Sequence, residues 1–248
     1  MWQLHPLYFG EWPDFELSRF LYNKGFGQKI RAVATGYLAI NGDRAVLVDT
    51  GIYDEHRAMR DHDQKVIKTG ASRVRESLKK HDIEPEDITD VLITHLHWDH
   101  AANLPLFTNA QVHIQAEEIA YAENPLPPHQ ISFDYGMSEP APWTLVRDRI
   151  NIVDGDTELA PGLDVFHLPG HTPGSQGVRV QTEIQSYLLA GDNVDLQENW
   201  DGDEKLKHRP GLVFVDLRDY WASLTRMETL SDVIVPSHDP NVFERKVY

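Results

Sequence analysis

The stretch Thr94-His95-Leu96-His97-Trp98-Asp99-His100 constrains this chain more than any other. Three imidazoles and a carboxylate fall within six residues, directly after the apolar run Val91-Leu92-Ile93. A short apolar run of that kind reads as a buried strand, and a strand ending in a tight loop turns all four side chains toward one point. His95 and His97 alternate on extended chain and so face the same way, while Asp99 and His100 continue around the turn. Imidazole nitrogen and carboxylate oxygen suit zinc and similar borderline cations, in sites that keep one position open for water. The bland alternative, a histidine-rich surface loop, gives no reason for two ligand types to converge. The stretch reads as a metal site.

The run His95-x-His97-x-Asp99-His100 resembles the signature of the metallo-β-lactamase superfamily. The rest of that pattern follows in order: His171 within Leu168-Pro169-Gly170-His171-Thr172-Pro173-Gly174-Ser175, Asp192 within Leu189-Ala190-Gly191-Asp192, and His238 within Val235-Pro236-Ser237-His238-Asp239-Pro240. The resemblance spans about Ala34 to His238, and it is greatest to the N-acyl homoserine lactonase branch of dinuclear zinc hydrolases. It implies an α+β fold, the αββα four-layer sandwich, with two sheets face to face and helices outside, in a single domain over 1–248. It also implies that His95, His97 and His171 hold one metal ion, that Asp99, His100 and His238 hold a second, and that Asp192 bridges them. The cofactors are then two divalent ions, zinc by expectation, with iron, cobalt or manganese also compatible.

Two such ions can hold a hydroxide between them at neutral pH while one polarises a carbonyl. The implied reaction is the opening of a lactone or related carboxylic ester, with Asp99 and Asp192 as the catalytic carboxylates and Asp99 able to shuttle a proton. Asp49, in Leu47-Val48-Asp49-Thr50-Gly51, would brace the metal loop through hydrogen bonds; an ordinary strand-end turn is the alternative. Gly170 and Gly174, with Pro169 and Pro173, fix a tight loop that presents His171, and Gly191 allows close backbone approach before Asp192.

The chain departs from the lactonases three residues after the bridging aspartate. They place a tyrosine there, whose hydroxyl assists the carbonyl oxygen; here the position is Asp195. A carboxylate replaces a phenol donor only when protonated, so the departure touches the acyl-homoserine substrate rather than hydrolysis. Tyr135 is a candidate for supplying a hydroxyl to the substrate, with packing as its alternative. Three other functions compete: hydrolysis of a phosphotriester or amide on the same metal pair, metal-dependent redox, and a non-catalytic binding module. Flavo-diiron relatives carry a glutamate where this chain has His97 and append a flavin domain, which speaks against redox. The filled ligand set speaks against a binding module.

Composition narrows the class further. There are no cysteines, which removes disulfides, thiolate ligands and a cysteine nucleophile together. A formal charge of −16 repels phosphate backbones, so nucleic acid is not an expected partner. No signal-peptide pattern opens the chain, and no apolar run approaches membrane-spanning length, so the expectation is no membrane and a cytoplasmic location. Hydrophobic residues at 41% suffice for a substantial core without staples. The chain ends ten residues after His238, so no C-terminal glutathione-binding helical domain is expected.

Along the chain, residues 1–29 form an aromatic arm broken by Pro6, Pro13, Gly10, Gly25 and Gly27, which argues against one long helix. Core packing, pocket lining and a homodimer contact are all open to it. Strands are expected from Ile30 to Ile40 and Ala45 to Asp49 around the turn Asn41-Gly42-Asp43, then a loop with a short helical piece over 54–70. A helix over Ser72 to His81, with Ser72 as a possible N-cap, precedes the metal loop. A short helix from Ala101 to Leu106, a strand over Gln111 to Ile114 and a helix over Ala116 to Ala122 follow. Residues 123–150, rich in proline, read as a lid or pocket-wall insertion. A second half is expected to begin with a strand near Ile150–Val153, continuing with strands near Leu163–Leu168, Gly177–Val180 and Tyr187–Ala190. A helix over Asp216 to Leu230 and the strand Val233-Ile234-Val235, which delivers His238, complete it.

Overall fold

Alternating side chains along the central strands divide the apolar residues among three separate packings. Tyr37, Ala39, Val46, Val48 and Leu92 face one way and meet Val165, Val178, Val180, Leu189 and Val235. Their sequence neighbours Leu38, Leu47, Val91 and Ile93 face the opposite way, onto Ala58, Val74 and Leu78. Leu188 likewise turns outward to Tyr220, Leu224 and Met227. Strand side chains with a period of two, buried on both faces, require a layer on each side.

A computed structural model, which describes residues 1–244, shows these layers. The first sheet runs in chain order through β1 (Gln3–Glu16), β2 (Lys29–Asn41), β3 (Arg44–Val48), β4 (Asp90–Leu92), β5 (Gln111–Gln115) and β6 (Ile150–Val153). Its first three strands are antiparallel and the rest are joined in parallel. The second sheet contains β7 (Thr157–Ala160), β8 (Leu163–His167), β9 (Gln176–Gln181), β10 (Ser186–Leu189) and β11 (Val233–Val235), in the order β11-β10-β9-β8-β7. Helices α1 (Glu55–His62) and α2 (Ala71–Lys79) cover the outer face of the first sheet. The short helices α3 (Trp98–Ala101) and α4 (Ala116–Ala122) follow β4 and β5, α5 (Gln197–Asp201) follows β10, and α6 (Leu217–Met227) covers the second sheet. This is the helix–sheet–sheet–helix order expected of the αββα sandwich. Residues 245–248, the end of the expected domain, lie outside the described residues.

Several elements differ from expectation. The N-terminal segment contains a strand that was not foreseen: β1 pairs along β2 as an edge strand, with register shifts between Tyr8 and Gly10 and between Trp12 and Phe15. An edge strand tolerates proline because one side of it needs no ladder partner. Trp2, Phe9, Trp12 and Phe20 are buried within the chain's own core, which leaves Phe26, at 71% exposure, as the prominent surface aromatic. β6 belongs to the first sheet, beside β5, and does not open the second half. β7 and α5 were not foreseen. α2 starts at Ala71 behind Gly70, so Ser72 is inside its first turn and caps nothing. The expected helix after the metal loop begins earlier, at Trp98, and Leu104–Leu106 forms only a 3-10 turn. Residues 123–150 contain two 3-10 stretches, Pro127–Phe133 and Pro142–Arg149, consistent with the proline spacing. The turn between β2 and β3 uses positive φ at Gly42 alone.

Candidate metal centre

The candidate ligands stand where strands of both sheets end. β4 leads into Thr94-His95-Leu96-His97, whose extended backbone gives way to α3 at Trp98, so Asp99 and His100 project from its first turn. His171 lies on the loop between β8 and β9, Asp192 in a 3-10 turn after β10, and His238 just after β11. These segments bring the seven expected residues together as two groups, His95, His97 and His171, and Asp99, His100, Asp192 and His238. Within each group the ligating atoms lie within 4.8 Å of one another. All are buried except Asp99, which is half-buried at the cavity wall.

Asp192 stands between the groups. Its Oδ1 lies 3.0 Å from His100 Nε2 and 3.1 Å from His238 Nε2. Its Oδ2 lies 3.6 Å from His171 Nε2 and 3.8 Å from His95 Nε2. One oxygen faces each group.

The outward-facing atoms of the site are anchored. Asp49, at a left-handed φ of 59°, accepts the Thr94 amide at 2.8 Å and the Thr94 hydroxyl at 2.9 Å, and its Oδ2 lies 2.8 Å from His100 Nδ1. It braces the loop, as the resemblance implied. His171 Nδ1 and His238 Nδ1 reach the carbonyl oxygens of Val213 and Val33, each at 2.9 Å. Ser237 donates its hydroxyl to Asp192 Oδ1 at 2.8 Å, and the Tyr220 phenol donates to the Asp192 carbonyl at 2.6 Å. Such partners fix ring orientation and tautomer.

Sequence reasoning missed Glu118. Wholly buried in α4, it accepts the Leu96 amide at 2.7 Å, the Thr172 hydroxyl at 2.6 Å and the Gly174 amide at 3.1 Å. It therefore ties the His95–His97 stretch to the His171 loop. A glutamate in a helix's first turn, beside the exposed Glu117, carries no sequence signal that sets it apart.

The electrostatics separate the two groups. Burial holds the imidazoles of His95, His97 and His171 below their usual range, which keeps them neutral with a lone pair available. Burial also opposes charge on His100 and His238, but the Asp192 carboxylate overrides it and raises both. Asp192 itself is raised by burial and held well below the carboxylate range by the combined pull of His100 and His238. Asp195 lines the same cavity, and burial followed by the charge of Asp192 pushes its carboxyl well upward, toward the protonated donor form.

The donor set fits divalent cations. Nε2 of His95 is buried and makes no hydrogen bond, and His171 Nε2 and His97 Nδ1 approach to 3.1 Å. Buried nitrogens without partners are rare and ask for one. Nitrogen and oxygen donors without thiolate are suited to zinc.

Aromatic side chains wall the cavity. Trp12 meets the His238 ring edge-on at 5.5 Å, Phe20 stacks on it at 5.3 Å, and Phe133 meets His97 at 4.7 Å. Two of these come from the N-terminal segment and one from the 123–150 insertion, so both segments reach the site. Tyr135 does not. It is exposed and faces a different cavity, with Trp143 and Arg147, so it is not placed to give a hydroxyl to a substrate at the histidines.

The His171 loop depends on a glycine. Gly170 sits at φ +136°, and a Cβ there would lie 2.2 Å from the Tyr220 Cα. Gly170→Ala is expected to cost at least about 3 kcal/mol, since the clash is with backbone that cannot step aside. Urea unfolding of the purified variant measures this, and a loss under 1 kcal/mol would contradict the packing described.

Comparison with known proteins agrees with this architecture. Residues 31–238 match the model of the metallo-beta-lactamase superfamily. An N-acyl homoserine lactonase from Bacillus sp. is 31% identical over 138 residues, covering 54% of this chain and 50% of that protein. The chain thus matches about half the length of such curated relatives. Among solved structures, an N-acyl homoserine lactone hydrolase with N-hexanoyl-L-homoserine bound at its catalytic metal centre superposes with a TM-score of 0.76 at 22% identity, over 98% of this chain and 95% of that one. The dizinc quorum-quenching lactonase AidC superposes at 0.74 and 16% identity, over 99% and 89%. No described helix is long and apolar enough to cross a membrane. With most of its length covered by the family pattern and the expected ligands gathered at one end of the sandwich, the chain belongs to the metallo-β-lactamase superfamily.

Proposed function

We propose that this protein is a dinuclear metal-dependent hydrolase that opens a lactone or a related carboxylic ester. The observation that carries the reading is Asp192, with one carboxylate oxygen turned to each ligand group. His95, His97 and His171 would hold one divalent ion and Asp99, His100 and His238 the other, with Asp192 shared; zinc is the expected metal from the donor set. Bound there, the ions supply Lewis acidity toward an ester carbonyl and make water acidic enough to attack near neutral pH.

The chain's own residues do the rest. Asp49, Glu118 and Tyr220 hold the ligand segments in place before any substrate arrives. Trp12 and Phe20 limit water around the reacting carbon. Asp99, half-buried at the cavity wall, stands where it can carry a proton toward the departing alkoxide. Asp195 in its protonated form can donate a hydrogen bond into the cavity, the capacity that the lactonase tyrosine provides in the relatives. The acyl carbon–oxygen bond breaks, water adds across it, and the hydroxy acid formed releases one proton. The family's lactonases, one of them 31% identical to this chain, favour a lactone over other esters.

The test pairs metal content per chain with proton release on a panel of γ-lactones. Close to two metals and ring opening are expected. Two metals without lactone opening would overturn the lactone assignment and turn the search to other esters, amides and phosphotriesters; less than one after reconstitution would overturn the dinuclear mechanism.

A further inference from the structure

Outside the ligand groups, the cavity continues into an outer chamber. Trp12, Phe15, Arg19, Trp98, Asp99 and Ser132 line both parts, and His62, Gln64 and Ile131 close the outer one. A substrate with its carbonyl at the histidines has this chamber as the continuation of its path.

The chamber holds one guanidinium that the fold leaves unpaired. Arg19 has no carboxylate within ion-pair distance among the described residues, although most other arginines of this acidic chain are paired. Its guanidinium rests 5.1 Å from the Phe15 ring centroid, a position that keeps its donors free. His62 is only 5% exposed and stacks flat on Trp98 at 4.2 Å. Its Nε2 lies 3.1 Å from Asp134 Oδ1, whose carboxylate is held by the Tyr53 hydroxyl at 2.6 Å, so the ring is anchored within the fold as part of the chamber's aromatic wall. Gln64 and Ser132 add an amide and a hydroxyl. The one carboxylate on the wall, Asp99, has its Oδ2 4.0 Å from His238 Nε2 and belongs to the ligand group.

Resting on the hydrolase reading above, we infer that the outer chamber is a subsite for a carboxylate, and that the natural substrate carries one remote from its scissile carbonyl. Arg19 pairs with that carboxylate, and Trp12, Phe15 and Trp98 sandwich the segment between the two ends. An arginine fork matches carboxylate geometry, and leaving it unmatched by an alkyl tail wastes the contact. The inference separates this chain from an enzyme whose substrate ends in a plain alkyl chain.

The experiment uses the zinc-loaded protein and two γ-lactones of equal tail length, one ending in a methyl group and one in a carboxylate. Wild type is expected to show at least a tenfold higher kcat/KM for the carboxylate. Arg19→Leu is expected to remove that preference through KM with kcat little changed, Arg19→Lys to restore part of it, and the methyl-tailed lactone to respond to neither. Equal loss on both lactones, or no loss on either, would overturn the subsite. If wild type opens neither lactone, the lactone assignment falls and calorimetry decides the subsite. Adipate is then expected to bind wild type at least tenfold more tightly than hexanoate and to lose that margin in Arg19→Leu; equal binding in wild type would overturn the inference.

Discussion

Asp192→Ala is expected to reduce the metal content from two ions per chain to one or fewer and to lower kcat/KM on any opened lactone by at least about 1,000-fold, roughly 4 kcal/mol of transition-state stabilisation. The geometry explains both effects. Among the described residues Asp192 is the carboxylate that faces both ligand groups, at 3.0 and 3.1 Å on one side and 3.6 and 3.8 Å on the other. Without it, His95, His97 and His171 still make a three-imidazole site able to keep one zinc. The other group retains Asp99, His100 and His238 but loses the charge that draws its imidazoles together. Asp192→Asn should fall between, since its amide turns a donor toward one of the groups. Elemental analysis beside steady-state kinetics checks this. A variant that keeps two metals and activity within tenfold of wild type would remove Asp192 from the role assigned to it.

Glu118→Gln has the second largest expected effect, although the side chain touches no candidate ligand directly. Both carboxylate oxygens are in use, one on the Leu96 amide and the other on Thr172 and Gly174. A glutamine of the same shape must turn its NH2 toward at least one of those N–H groups, leaving a buried donor unpaired at a cost of about 1–3 kcal/mol. Because the two joined segments carry His95, His97 and His171, metal affinity should drop about 10- to 100-fold, the range for residues that support ligands. Competition with a calibrated zinc chelator measures it.

The carboxyl of Glu118 is also pushed up to about 7 by burial, against the pull of its three donors. Its folded pKa thus exceeds the unfolded one, so its contribution to stability is complete below the ordinary glutamate value of 4.5 and declines as pH rises through 7. In chelator-treated protein, wild type should therefore lose about 3 kcal/mol relative to Glu118→Gln between pH 4.5 and 8. Parallel stability profiles for the two proteins would remove that expectation.

Local chemistry was legible in the sequence, and neighbourhood was not. The candidate ligand groups could be read because their residues lie in short stretches where spacing and ligand type speak together, as in His95-x-His97-x-Asp99-His100. The helix over Ala116–Ala122 and the strand near Gln111 matched because each depends on a local period. β1 escaped because Pro6, Gly10 and Pro13 act as breakers in most settings, and only its position at a sheet edge makes them harmless. β6 could be foreseen as a strand, but nothing local to Ile150–Val153 states that it lies beside β5 across the insertion. Tyr135 and Glu118 err in opposite directions. An aromatic in a candidate lid faces another cavity, whereas a glutamate resembling its solvated neighbour lies at the centre of the ligand scaffold. Side-chain direction within a loop or a helix's first turn is decided by distant contacts, which no window of sequence contains.

The hydrogen bonds between His238 and Val33 bear on how the protein matures. Val33 N donates to the His238 carbonyl at 3.1 Å while His238 Nδ1 reaches the Val33 carbonyl, so a strand of the first sheet positions a ligand that follows the last strand of the second. Asp192 and His171 also depend on the second sheet, whereas His95 and His97 follow β4 of the first. A half-folded chain offers the local run His95, His97, Asp99 and His100 but lacks His171, Asp192 and His238 at the same place. The full set of donors exists only after the two sheets have closed on each other. On the proposed reading, metal capture would follow closure of the two sheets rather than precede it.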